Sequence, residues 1–397
     1  MSRFVCCLAI LGLLGPAFTP VANAEDIFLQ EKRPFNLDDY NKKVLQQEDP
    51  PATPKPKELE DTEIGIRKGV YKLTEHERQI RPGQIDLAYK ECSVLMQMVY
   101  SPEVKYPALQ QAFAKKMVEE LDTVSKPKEQ HPIARVNAVR LLARLAELSG
   151  AEETADLAAK VITDPNQVDG SRYWAFRTLK ILFSRATKPI SAARREKAVE
   201  ALVQFIERPV KNITSTEERD GACVVRREAI RALAVIHDPG VANKRGAEVA
   251  WTLLRVLHRD KDLVPEPRLD ERVEAAIGLS NLRPDAKGDY QPLAAAYNVG
   301  QFVVEFFPKW RGARADKHEP WKIHAGRMEE ALVGLSAAVP DETIKKIVRE
   351  AVISLQGVQQ GKESPTAEGL NKLLQGLPPS PPLYKSNPKA TLSPRES

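Results

Sequence analysis

One helical pattern recurs four times along this chain. It consists of an arginine followed by an alanine at offset three, a leucine at offset seven, and a leucine or isoleucine at offset ten. Because an α-helix has about 3.6 residues per turn, the apolar positions share one stripe of a helix. The copies begin at Arg135, Arg172, Arg226 and Arg272, at intervals of 37, 54 and 46 residues. Intervals of this size indicate a helical repeat array, whose units bury their apolar faces against one another.

A second helical segment precedes each copy of the motif. These segments cover residues 106–121, 152–162, 194–207 and 248–258, and Pro, Gly or Asp residues interrupt the chain between helices. Two helices per unit predict an all-α fold, an α-solenoid of antiparallel helix pairs over residues 85–360. The motif is lost towards the carboxyl end of this domain, as expected because the terminal units of arrays cap the core.

The pattern resembles the HEAT repeat, in which a turn rich in Asp and Pro precedes a second helix with an arginine and an Ala and Leu stripe. Such turns occur at 163–166 and 265–267. The resemblance implies a ladder of hydrogen bonds that joins successive repeats through the motif arginine and a residue six positions before it. The implied ladder residues are Glu129 and Arg135, Asn166 and Arg172, Asp220 and Arg226, and Glu266 and Arg272.

The first residues have the features of a signal peptide. Arg3 precedes an apolar run from Phe4 to Leu14, and Ala22 and Ala24 fit the small positions of a cleavage site. We therefore expect residues 1–24 to be removed and the protein to be exported, to the periplasm, the cell envelope or the medium. No later stretch has the roughly 20 apolar residues that a membrane helix needs.

Proline-rich segments occur at both ends of the remaining chain. Residues 25–84 contain Pro50, Pro51, Pro54 and Pro56 and are predicted to form an extended linker, in which 64–73 could be a short strand or a helix. Residues 361–397 are predicted to form a terminal helix followed by a disordered tail.

Charge and cysteine content narrow the class of protein. The formal net charge is +5, and it falls by one when Arg3 leaves, so the chain is weakly basic and no nucleic-acid partner is expected. After signal cleavage Cys92 and Cys223 remain. They could form one disulfide in an oxidising compartment or stay as two buried thiols.

The position five residues after each motif arginine lies on the helix face opposite the core stripe. Its occupants are Arg140, Arg177, Arg231 and Ile277. Stacked helices would present the three arginines as a stripe, which could bind an anionic partner through charge-assisted hydrogen bonds. The same stripe could equally be an ordinary solvated helix face.

A segment rich in Trp and cations covers residues 306–322. Interleaved aromatic and cationic side chains can stack on ligand rings and bind anions. The alternative is an ordered loop whose tryptophans plug the end of the array. The candidate residues are Lys309, Trp310, Arg311, Arg314 and Trp321.

The sequence carries no pattern typical of a metal site, a cofactor site or a nucleophilic catalyst. We therefore predict an exported, non-enzymatic scaffold or binding module whose concave face binds a protein or an anionic envelope polymer, without cofactor or metal. The alternative is a lyase or hydrolase acting on an acidic polysaccharide or phosphorylated substrate. In that case the three stripe arginines would bind the substrate, and His237 or His258 would act as a base.

Overall fold

The computed structural model describes residues 33–385 except 82, 186–189, 211–212, 240–247, 285–288, 313–317, 362–366 and 379. Within these described residues, every regular secondary-structure element is a helix. The predicted signal peptide, residues 25–32 and the last part of the predicted tail, 386–397, lie outside it.

The helices follow one another along the whole described chain. They are α1 (Leu37–Tyr40), α2 (Pro56–Tyr71), α3 (His76–Ile80), α4 (Gln84–Val99), α5 (Pro107–Ser125), α6 (Pro132–Ser149), α7 (Glu153–Thr163), α8 (Asp169–Phe183), α9 (Ala192–Glu207), α10 (Thr216–Leu233), α11 (Glu248–Leu257), α12 (Leu269–Asn281), α13 (Pro292–Gly312), α14 (His318–Ala338), α15 (Glu342–Gln359) and α16 (Glu368–Gly376).

The longer helices pack as pairs in two layers. The pairs are α2 with α4, α5 with α6, α7 with α8, α9 with α10, α11 with α12, α13 with α14, and α15 with α16. The first helices α2, α5, α7, α9, α11, α13 and α15 contact one another in that order. The second helices α4, α6, α8, α10, α12 and α14 form the other layer in the same way. Contacts in chain order are the property of a solenoid, so the predicted fold class is confirmed.

The motif residues supply the core between these layers. Every alanine, leucine and isoleucine of the four motif copies is buried. The interface between α12 and α10 is especially close, because a Cβ atom built on Gly278 would lie 3.1 Å from the Ala234 Cα atom and 2.9 Å from Leu253. A residue without a side chain at this point lets α12 approach the end of α10, its neighbour in the same layer.

The array begins earlier than the sequence predicted. Within the expected 25–84 linker, Pro56–Tyr71 forms α2, which packs on α4 and α5 and buries Ile66 and Val70. Proline is well suited to the first turn of a helix, and Glu58 accepts a hydrogen bond from the Lys55 backbone N–H at 2.8 Å. The linker prediction was therefore wrong for α1 and from Pro56 onward. The undecided 64–73 segment is helical throughout, because a 3-10 helix (Lys72–Thr74) follows α2 directly.

The chain also continues in ordered contact beyond α16. Residues 380–385, which we term the C-terminal strap, lie within the tail that was predicted to be disordered. Tyr384 is 1% exposed and its hydroxyl donates to the Pro239 carbonyl at 2.7 Å. The Gln291 side chain donates to the Pro382 carbonyl at 2.8 Å. The tail prediction was therefore wrong for the strap, because Leu383 and Tyr384 have apolar surface to bury.

Cys92 and Cys223 are free thiols, both buried, so the disulfide alternative was wrong. Burial raises the pKa of each thiol to about 12. No described helix is both long enough and apolar enough to cross a membrane.

The buried Glu120 makes the amino-terminal units sensitive to acid. It is 4% exposed, accepts hydrogen bonds from Arg67 at 3.0 Å and from Tyr71, and pairs with Lys116 at 3.0 Å. Burial acts to raise the pKa of Glu120, but the contacts with Tyr71, Lys116 and Arg67 outweigh it and hold this pKa below its ordinary value. The unfolded chain therefore takes up the proton more readily, and the stabilisation present above pH ~4.3 is lost as the pH falls through the folded-state pKa.

We expect Glu120→Gln to lower the free energy of unfolding by about 1–3 kcal/mol at pH 7, and by less near the acid end of the transition. Urea unfolding followed by circular dichroism between pH 7 and pH 3 measures this difference. The neighbouring Glu119→Gln is the matched control, since Glu119 is exposed. If the effect of Glu120→Gln on the free energy of unfolding did not change with pH, the charged Glu120 carboxylate would not be the source of the acid sensitivity.

Candidate interaction surface

Aromatic rings and guanidinium groups alternate across α4, α6 and α8. The Arg140 guanidinium carbon lies 3.8 Å from the centre of the Tyr89 ring and 5.7 Å from that of Trp174. The Arg177 guanidinium carbon lies 5.0 Å from the centre of Trp174 and 5.8 Å from that of Tyr173. We term Tyr89, Arg140, Trp174, Arg177 and Tyr173 the aromatic–arginine ladder.

Local helix geometry brings the ladder together. Trp174 and Arg177 are three residues apart on α8 and therefore neighbours on its surface. Arg140 reaches the same place from α6, which packs side by side with α8, and Tyr89 reaches it from α4. Trp174 is half-buried and packs against the core, so the ladder stands on a rigid support.

The two ladder arginines differ in their electrostatic environment. Arg140 donates to Asp86 at 2.9 Å, so its charge has a carboxylate partner. Arg177 is exposed and donates to the Tyr173 hydroxyl at 3.3 Å. Within the described residues, no carboxylate pairs with Arg177. Cation–π contacts of this kind are worth about 0.5–1 kcal/mol at exposed sites, enough to orient a guanidinium whose N–H groups remain available.

Arg231 is bound by two carboxylates and does not extend the group formed by Arg140 and Arg177, so this part of the predicted stripe was wrong. Its Nε donates to Glu274 at 2.8 Å and its Nη1 to Glu228 at 2.5 Å. Arg327 also binds Glu274, through two contacts of 2.6 Å. Burial acts to raise the pKa of Glu274, but Arg327 and Arg231 hold it below its ordinary value. Arg231 is thus part of a structural ion-pair network.

The second-helix layer therefore has two halves of different character. On α10, α12 and α14, cations and carboxylates pair with one another. These residues are Arg227, Arg231, Arg268 and Arg327 with Asp220, Glu228, Asp270 and Glu274. On α4, α6 and α8, Asp86 and Glu147 also pair with arginines, but aromatic rings lie beside Arg140 and Arg177. On α8, Arg177 is an exposed cation with which no described carboxylate pairs.

The Trp-rich segment is helical rather than a long loop. Helix α13 continues to Gly312 and α14 begins at His318. Trp310 is 4% exposed, and Trp321 packs on Phe306 with ring centres 4.8 Å apart. The tryptophans therefore fill the core, and the ligand-binding interpretation was wrong for them. Lys309 is exposed; Arg314 and the Arg311 side chain lie outside the described residues.

All four motif arginines are buried and bonded, as the ladder implied by the family resemblance requires. Arg135 donates to the Asn166 carbonyl at 3.3 Å, and Arg226 binds Glu271 at 2.6 and 3.2 Å. These contacts join one second helix to the next unit of the array.

Arg272 and Arg172 have other partners. Arg272 donates to the Leu257 carbonyl at 2.6 Å and to Glu305 on α13 at 2.7 Å, which also joins two units. Arg172 binds Asp169 and the Asp164 carbonyl within its own unit, so the joining role was wrong there.

The predicted partners of these arginines were mostly wrong. Glu129 pairs with Lys126 at 3.6 Å, Asp220 with Arg268 at 3.1 Å, and Glu266 with Arg259 at 3.3 Å. Asn166 takes part through its backbone carbonyl. The acids that do bind motif arginines are Asp169, Glu271 and Glu305, and each lies outside the position that the resemblance implied.

The two candidate catalytic histidines make no described contact with the aromatic–arginine ladder. His258 is 4% exposed and its Nε2 is 2.6 Å from the Asn298 Oδ1 atom. Burial lowers the pKa of His258. The His237 Nδ1 atom is 2.8 Å from the Asn281 carbonyl oxygen. Among the described residues there is no cluster of three or more potential metal ligands.

Comparison of the sequence with protein-family models and with curated proteins gives no match. The assignment of this surface therefore depends on its own geometry.

Proposed function

We propose that this chain is an exported, non-enzymatic binding module of the HEAT-repeat type, and that its aromatic–arginine ladder binds a partner protein. The observation that supports this most directly is Arg177. It is an exposed guanidinium, oriented by Trp174 and Tyr173, and the described residues supply it with no carboxylate. An acidic side chain of a partner would complete the pairing.

The residue types of the ladder are those that dominate binding energy at protein interfaces. Trp, Tyr and Arg are enriched among interface residues whose truncation costs most. Their rigid support on packed helices reduces the ordering cost of association. The carboxylate pairs on α10, α12 and α14 favour the amino-terminal half of the layer as the binding surface.

An anionic envelope polymer is the second ligand class that the sequence left open. A sugar ring binds by stacking on a free aromatic face, whereas Arg140 lies only 3.8 Å from the centre of the Tyr89 ring and covers one of its faces. Exposed guanidinium edges remain, and these fit carboxylates. The geometry thus favours a protein with acidic side chains over a sugar polymer.

The test compares capture of envelope components by the purified protein and by an Arg177→Glu variant. We expect the variant to recover at least about tenfold less of the partner, since a central interface residue contributes ~1.4 kcal/mol or more. Lys115→Glu is the matched control, because Lys115 is an exposed cation on α5 in the other layer. Recovered protein and recovered acidic sugar are quantified separately.

Equal recovery by the wild type and Arg177→Glu would remove the ladder as a binding surface. Loss of acidic sugar alone would show that the partner is a polymer. A Trp174→Ala variant supplies an independent check, because it removes the ring that orients both ladder arginines.

A further inference from the structure

A separate group of arginines meets at the start of α8. Arg172 is 5% exposed, and it donates to the Asp169 Oδ1 atom at 3.0 Å and to the Asp164 carbonyl at 2.8 Å. Arg135, also 5% exposed, donates to the Asn166 carbonyl at 3.3 Å. Two buried guanidinium groups thus bind the same turn, residues 164–166.

A third cation reaches this place from the end of α9. The Phe176 and Phe205 rings lie 4.8 Å apart, and Phe176 is one helical turn after Arg172. The Arg208 guanidinium carbon lies 3.9 Å from the centre of the Phe205 ring. Arg208 therefore lies beside the amino-terminal turns of α8.

The environment of Arg208 is electrostatically unfavourable in the protein alone. Burial, and secondly the positive charge of Arg172, lower the pKa of Arg208, whereas Asp169 acts in the opposite direction. Within the described residues, the Arg208 side chain has no hydrogen-bond acceptor and no carboxylate within ion-pair distance. A half-buried cation beside a second cation is stabilised when an anion binds between them.

Further polar groups at this place lack partners. The Arg135 Nε, Arg172 Nε and Ser171 Oγ atoms are buried and have no hydrogen-bond partner among the described residues. Val168, the residue that precedes α8, has no side chain that can cap the helix. The first turn of α8 therefore combines free donors with the positive end of a helix dipole.

We propose that the site at the start of α8 binds a phosphate group, with Arg208 and Arg172 as its main ligands and Arg135 as a supporting charge. Three arginines face two carboxylates here, those of Asp164 and Asp169. Guanidinium groups bind phosphate oxygens in pairs, and helix amino termini favour anions. Asp169 has an exposed side chain, so it can leave Arg172 when the phosphate enters.

Isothermal titration of the purified protein tests the proposal with two probes, inorganic phosphate and glycerol 3-phosphate. A free anion and a phosphate ester are thereby distinguished, and chloride at equal ionic strength controls for screening. We expect Arg208→Met to weaken binding at least tenfold. Arg349→Met, which changes an exposed arginine on α15 with a 72% exposed side chain, should leave it unchanged.

A second variant separates a binding role from a structural one. Asp169→Asn removes the carboxylate that competes for Arg172 and is expected to tighten phosphate binding several-fold. If neither probe binds the wild type, or if Arg208→Met binds as the wild type does, the proposal is overturned. The Arg177→Glu variant should bind phosphate normally, so failure of the partner-binding proposal and failure of this one can be told apart.

Discussion

Replacing Glu271 with alanine is expected to lower the free energy of unfolding by about 3–5 kcal/mol. Glu271 is fully buried, Arg226 is 4% exposed, and their two hydrogen bonds join α10 to α12. Removing the carboxylate leaves a buried guanidinium without its counter-charge. Glu271 also accepts from the Arg268 backbone N–H at 2.8 Å, so the start of α12 loses a cap as well.

Chemical unfolding followed by circular dichroism measures this loss. Glu217→Ala is the control, because Glu217 is an exposed acid on α10. A double variant, Arg226→Met with Glu271→Leu, should recover most of the stability, since a buried ion pair can often be replaced by apolar residues at little cost. A loss below ~1 kcal/mol for Glu271→Ala would show that water reaches Arg226.

The second large effect is expected for Phe176→Ala, which should cost about 3–5 kcal/mol. Phe176 is fully buried and packs on Phe205, so truncation leaves a cavity between α8 and α9. Phe176→Leu keeps most of the volume and should cost less than ~1.5 kcal/mol. The same unfolding measurement applies, and equal losses for the two variants would argue against a cavity as the cause.

The sequence predicted the repeat domain well where local spacing is sufficient. The Ala and Leu stripe determines which face of a helix is buried, and each copy of the motif lies in a second helix or at its end. The amino-terminal helix was missed because the prolines of 50–56 were all taken as linker residues. Pro56 instead begins α2, and only the apolar residues that follow it, such as Ile66 and Val70, distinguish the two cases.

The candidate site was predictable only in part. The offset from the motif arginine correctly placed Arg140 and Arg177 on one surface, but it could not show that Arg231 is neutralised by Glu274, 43 residues away in the chain. The aromatic members of the aromatic–arginine ladder were missed because the offset from the motif arginine relates only the cations to one another. Trp174 and Tyr173 stand directly after Arg172, and this was the signal available in the sequence.

Nonlocal pairing also explains why the partners implied for the motif arginines by the HEAT-repeat resemblance were mostly wrong. Arg226 and Glu271 are 45 residues apart, so no fixed short offset relates them. Where inserts vary in length between units, the partner of a buried arginine depends on how the neighbouring unit is placed. Only the three-dimensional arrangement of the helices identifies it.

The C-terminal strap changes how the array can come apart. In a linear repeat protein, terminal units can fray one after another, because each contacts only its neighbours. Here the Tyr384 hydroxyl donates a hydrogen bond to the Pro239 carbonyl, 145 residues earlier in the chain. Opening of the last helix pairs must therefore also release the turn after α10. The carboxyl-terminal third of the molecule is closed into a loop, which favours cooperative unfolding of these pairs over stepwise fraying.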